Sequence, residues 1–127
     1  MSLSECRIAA VAAVSDLDRA RSFFEGTLGL SPVDSGAGGE EVVYACGEGT
    51  GLMVYPSPAN AGTGSATLGC WSVKDLGSEM EALKARGVEF ERYEGFDQDE
   101  NGILDMGDGR VAWFTDPDGN TFALAEG

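Results

Sequence analysis

Three groups of side chains in this 127-residue chain have types and spacings that could do chemistry. The first is Asp97-x-Asp99-x-Asn101-Gly102-x-Leu104-Asp105-x-x-Asp108, which follows the register of a calcium loop, with oxygen ligands at its odd positions and a central glycine. Its last position holds Asp where a longer, bidentate Glu is usual, and no helix is predicted on either side. A solvated acidic loop is the preferred reading, with calcium on Asp97, Asp99, Asn101, Asp105 and Asp108 as the lesser one. The second is Cys70, a possible nucleophile. The chain has no histidine to act as its base, so burial as a small apolar side chain is the simpler role. The third is the pair Tyr55 and Trp113, each an apolar ring with a polar tip, suited to the wall of a small-molecule site. Trp113 could equally fill a core, as strand parity predicts for Trp71.

Charge narrows the partners. The 22 Asp and Glu against 8 Lys and Arg give a net charge of -14. Such a field repels nucleic acid and anionic membranes and disfavours phosphorylated substrates. It draws in a cation, although solubility alone accounts for acidity of this kind. No apolar run approaches the ~20 residues of a membrane span, and the N-terminus lacks a secretory pattern. Cys6, Cys46 and Cys70 form no CxxC pair and read as reduced thiols. A cytoplasmic protein is expected. Gly36-Ala37-Gly38-Gly39 precedes Glu40-Glu41 and opens no helix, so no phosphate cradle is predicted.

The elements that must position these groups come in two similar sets. Ile8 to Val14 is a short apolar strand, Asp16 a helix N-cap, and Leu17, Ala20, Phe23, Phe24 and Leu28 a helical face closed by Gly29. Strands are predicted at Val42 to Cys46 and Gly51 to Tyr55 around a Gly-Glu-Gly-Thr turn. The plan then repeats. Thr67 to Val73 is a strand, Asp75 the cap, Leu76, Met80 and Leu83 the helical face, and Gly87 the stop. Val88 to Tyr93 reads as a strand, followed by the acidic loop. Two β-prone runs around Asp116-Pro117-Asp118-Gly119-Asn120 read as a closing hairpin. This is a duplicated βαβββ unit in an α+β fold: module one about 5–56, a small-residue linker 57–65, and module two about 66–125.

Val14-Ser15-Asp16-Leu17-Asp18-Arg19-Ala20 with Phe23-Phe24, Leu28-Gly29-Leu30 and the Asp116-to-Asn120 turn resembles the vicinal oxygen chelate superfamily. That superfamily holds glyoxalases, extradiol dioxygenases, and the bleomycin- and fosfomycin-resistance proteins. Tyr55-Pro56-Ser57-Pro58 with Ala112-Trp113-Phe114 is similar to a small bacterial subgroup of unassigned activity. The resemblance implies curled sheets with helices outside, an active site in the concave face, and a homodimer. Its four metal-ligand positions fall on Ala9, Met53, Leu68 and Ala123, none of which offers the imidazole or carboxylate that a divalent catalytic ion takes. The same pattern turns Ala9, Val11, Ala13, Met53, Tyr55, Leu68, Cys70, Val111, Trp113, Thr121 and Ala123 inward. It packs Tyr44, Trp71, Val73, Phe114, Phe122 and Leu124 beneath the helices.

The reading is a small-molecule-binding protein without the usual metal site, without cofactor or catalytic residue, sequestering a cationic or aromatic compound. Trp113, Tyr55, Met53, Cys70, Leu68, Val111, Ala9, Val11 and Ala123 would contact that ligand. The alternatives are a glyoxalase-like lyase, epimerase or dioxygenase, metal-free or with a non-standard metal site, and a degenerate member kept as a structural or regulatory partner.

Overall fold

Each half of the chain starts with a short apolar strand that runs straight into a helix capped by aspartate. The computed structural model describes residues 2–33 and 40–127, so the Gly36–Gly39 segment lies outside the described residues. The chain divides into two compact units, Met1–Ala61 and Gly62–Gly127.

In the first unit, β1 (Ala10–Val14) leads to α1 (Leu17–Arg21). The Asp16 carboxylate accepts the Arg19 backbone N–H at 3.2 Å, satisfying one of the orphan donors of the first turn. The helix does not continue evenly to Leu28, as the periodicity predicts. It widens into a π turn over Ser22–Thr27. That turn carries Phe24, fully buried, against Tyr44 and carries Glu25 to the Tyr44 hydroxyl at 3.0 Å. Gly29, at φ +75°, ends it. Then come β2 (Ser31–Val33), which the sequence does not suggest, β3 (Val42–Ala45) and β4 (Gly51–Pro56). The sheet order is β1-β4-β3-β2, with β1 parallel to β4 and the other pairs antiparallel.

The second unit repeats this with β5 (Thr67–Ser72), α2 (Leu76–Ala85), β6 (Leu104–Asp105), β7 (Arg110–Thr115) and β8 (Thr121–Glu126). Its order, β5-β8-β7-β6, is the same path through space. Asp75 caps α2 by accepting the Ser78 N–H at 3.1 Å. The predicted strand at Val88 to Tyr93 is not formed. Only Phe90 bridges to Phe114, and the Glu91 N–H donates to the Trp113 carbonyl at 2.8 Å. At Tyr93 the backbone N–H goes to the Gln98 side chain at 2.7 Å instead of to a neighbouring strand, and the chain leaves the sheet edge.

Strand alternation separates two faces. Ala12, Val14, Leu52, Val54 and Tyr44 are buried in the first unit; Phe114, Phe122 and Leu124 join Leu76, Met80 and Leu83 in the second. Trp71 lies over Phe122 and Phe114 at 5.6 and 6.2 Å between ring centroids, on this same side. Burying each large apolar side chain contributes about 1.5–3 kcal/mol, so this layer supplies most of the driving force.

The Asp116–Asn120 turn is a closed polar network. The Asp116 carboxylate accepts the N–H groups of Asp118 and Asn120 and the Asn120 side-chain amide, at 3.0, 2.8 and 2.8 Å. Gly62 packs on this turn, donating its N–H to the Asn120 side chain at 3.1 Å. At φ +65°, with the Asp118 carbonyl 1.9 Å from where a Cβ would sit, no other residue fits there. The closing turn that carries part of the family resemblance is thus a structural clasp. Among the described residues, no helix is long and apolar enough to cross a membrane.

Candidate functional site

The faces opposite the helices carry the sequence-predicted site residues, one set in each unit. In the first unit Val11 pairs with Met53 and Ala13 with Tyr55 across the parallel β1–β4 ladder. Ala9 is exposed just ahead of β1, Val11 is 41 % exposed, and Met53 and Tyr55 are half-buried. Open apolar area on a fully paired strand is the mark of a surface that can take a ligand or a partner.

In the second unit Cys70, Ala123 and Trp113 stand side by side on β5, β8 and β7. Ala123, Thr121 and Val111 are buried, Trp113 is half-buried, and Cys70 and Leu68 are exposed. A register shift between Thr67 and Gly69 interrupts the simple alternation at Leu68. Cys70 is exposed rather than buried as the sequence suggests, because β5 is an edge strand of its sheet. The neighbours it has still raise its pKa by desolvation, which disfavours the thiolate a nucleophile needs.

Sequence reasoning missed the cover over this second face. The segment from Arg92 to Ile103 folds back, and Tyr93 and Phe96 pack on Trp113 with ring centroids 5.4 and 5.5 Å away. Burial, with the nearby Glu91 charge second, raises the Tyr93 phenol pKa. The base of the segment is held by the buried Gln98. Its Oε1 accepts the Tyr93 N–H, and its amide donates to the carbonyls of Glu91 and Gly102 at 2.9 and 2.7 Å. Two aromatics spaced three apart in an acidic loop were the available signal. Their contact with Trp113 depends on Gln98, whose role no periodicity reveals.

The acidic loop uses its oxygens internally. The Asp99 carboxylate accepts the N–H groups of Asn101 and Ile103, both at 2.9 Å, and these bonds hold its pKa below the usual carboxylate range. Asp105 accepts the Gly107 N–H at 2.9 Å. The Arg92 guanidinium donates to the carbonyls of Gln98 and Asp99. Asn101 and Asp108 are exposed. Among the described residues, no three His, Cys, Asp or Glu side chains gather into a metal-holding group. Glu126, three residues beyond Ala123, is committed to structure. It accepts the Leu76 N–H at the start of α2 and pairs with Arg110 at 2.8 and 3.0 Å.

A repeated βαβββ unit, with an apolar face turned away from its helix, defines a class of small-molecule-binding and catalytic domains. The chain belongs to the Glyoxalase/Bleomycin resistance protein/Dioxygenase superfamily, whose pattern it matches over residues 7–124. Solved structures agree. A glyoxalase / bleomycin resistance protein from Catenulispora acidiphila DSM 44928 is 27% identical, with 95% of this chain and 97% of that one covered at a TM-score of 0.67. A superfamily member from Sphaerobacter thermophilus DSM 20745 is 25% identical, with 95% and 96% covered at 0.69. TnmS3, an antibiotic binding protein from Streptomyces sp. CB03234, is similar in fold at 22% identity, with 96% and 97% covered at 0.66. Comparison with curated proteins finds no match.

Proposed function

We propose that this chain binds and sequesters a small cationic or aromatic compound, does so without the family's metal, and works as a cytoplasmic homodimer. The observation that carries the reading is the donor chemistry of its apolar faces. Ala9, Met53, Leu68 and Ala123 stand where the family resemblance puts metal ligands, and a methyl, a thioether, an isobutyl and a second methyl do not fit a divalent ion that wants imidazole or carboxylate. What those faces offer instead is apolar area with rings: Met53 and Tyr55 in one unit, Trp113 in the other. A net charge of -14 favours a cation at long range. The antibiotic-binding relative of like fold is consistent with this reading. The homodimer is what the family resemblance implies, a second copy completing the cup around Val11, Met53 and Tyr55 rather than filling it.

The test is calorimetric titration of a bleomycin-type cationic glycopeptide at rising salt. Affinity is expected to fall with salt, as screening over ~10 Å at 0.1 M requires, and to be indifferent to added Zn²⁺, Mn²⁺ or Fe²⁺. Stoichiometric retention of one of these metals after dialysis, with affinity dependent on it, would overturn the reading in favour of a metal-dependent lyase, epimerase or dioxygenase.

A further inference from the structure

Three rings in the second unit form a shape that pairwise packing alone does not require. Trp113 and Phe96 face each other obliquely, with centroids 5.5 Å apart and planes inclined by 34°. Tyr93 stands edge-on to both, at 77° to Trp113 and 80° to Phe96. The arrangement is a floor, a roof and a back wall. Floor and back wall are fixed: Trp113 belongs to β7, and Tyr93 is tied through its N–H to the buried Gln98.

The roof is not tied in the same way. Phe96 is 49 % exposed, and its backbone N–H makes only a 3.3 Å bond to the Tyr93 carbonyl. It follows Gly95, which is at φ +86°, a backbone conformation that glycine adopts without the cost a side chain would add. A planar ligand between two rings needs contact near 3.5 Å on each side, a plane separation of about 7 Å. Opening from the observed spacing is a displacement of one to two ångströms on this scale. The exposed Glu94 and Asp97 flank Phe96 in the chain and give the rim negative charge.

We propose that Trp113, Phe96 and Tyr93 form a clamp for a planar aromatic cation, with Phe96 as a roof that lifts about Gly95 and closes on the ligand. The proposal deepens the binding function above by naming the ligand class and the residue that selects it.

The test uses the whole chain and two probes of similar size and opposite charge, 9-aminoacridine and anthraquinone-2-sulfonate. The wild type is expected to bind the cation and to prefer it over the anion. Phe96→Ala should bind the acridine about tenfold more weakly or worse, and Phe96→Tyr within about threefold of wild type, since stacking on one ring is being removed or kept. Phe96→Leu keeps the apolar cover without a ring face. It should lose as much as Phe96→Ala, and circular dichroism establishes that both variants are folded. Unchanged acridine affinity in Phe96→Ala and Phe96→Leu, a wild type that ignores acridine, or a preference for the anion would each overturn the clamp. Those results leave sequestration to the glycopeptide titration. A Phe96-dependent acridine site in a chain that ignores the glycopeptide supports the clamp.

Discussion

The two units follow one path, β1-β4-β3-β2 and β5-β8-β7-β6, yet the faces opposite their helices have different fates. Both repeat the aspartate cap, the apolar helix side and a glycine stop. In the first unit the opposite face is open around Val11, Met53 and Tyr55; in the second, a twelve-residue return from Arg92 to Ile103 lays Tyr93 and Phe96 over Trp113. The helix sides resemble each other because both must exclude water to fold at all. The faces opposite the helices differ because nothing in folding constrains them equally, and that freedom is where a duplicated unit can acquire a binding role.

The largest expected difference between the faces is in stability. Phe122→Ala removes a fully buried ring that stacks against Phe114 and Trp71, and should cost about 3–5 kcal/mol. Met53→Ala, on the half-buried face of the first unit, should cost less, about 1.5 kcal/mol, because that side chain is only partly removed from water. Urea denaturation of both variants measures the contrast, and equal costs would break it.

A middle-sized effect is expected at the clasp. Asp116→Ala leaves the N–H groups of Asp118 and Asn120 and the Asn120 amide without their acceptor. The expected loss is about 2–4 kcal/mol, given ~1–3 for each unsatisfied buried group and partial rescue by water. Burial raises the Asp116 pKa, so the folded state holds this proton more tightly than the unfolded chain. Its titration therefore lowers stability as pH rises through the acid range, opposite to a paired surface carboxylate.

The smallest effect sharpens that sign. Arg110 and the Leu76 N–H hold Glu126 below its ordinary pKa, so its contribution is fully present above about pH 4.5 and is lost as pH falls through the lowered value. Glu126→Gln should be less stable than wild type by a constant margin near neutrality, and the gap should close in acid. Denaturation curves at a series of pH values between neutrality and strong acid check it. A gap that widens on acidification would contradict the assignment.

The alternation of Ala12, Val14, Val54, Phe114 and Phe122, the caps at Asp16 and Asp75 and the closing turn were legible because each is a local rule written in adjacent residues. The π turn over Ser22–Thr27 was not. It arises where Glu25 reaches Tyr44, nineteen positions away, which helical periodicity cannot register. The strand expected at Val88 to Tyr93 has the right residue types, but side-chain amide bonds from Gln98 replace the sheet ladder there. Trp113 could be singled out from its ring and polar tip; its partners Tyr93 and Phe96 offered only their spacing, because tertiary folding of the loop creates that contact.

The central claim is that Trp113 meets a ligand and Trp71 does not. The chain has two tryptophans, so Trp71→Phe and Trp113→Phe each leave one reporter. With a bleomycin-type cation, the Trp71→Phe protein should show quenching that saturates with the calorimetric affinity, while Trp113→Phe should show almost none. Stacking on Trp113 is worth on the order of 0.5–2 kcal/mol, so Trp113→Phe should also bind more weakly. Quenching confined to Trp71, or equal in both proteins, would contradict the account.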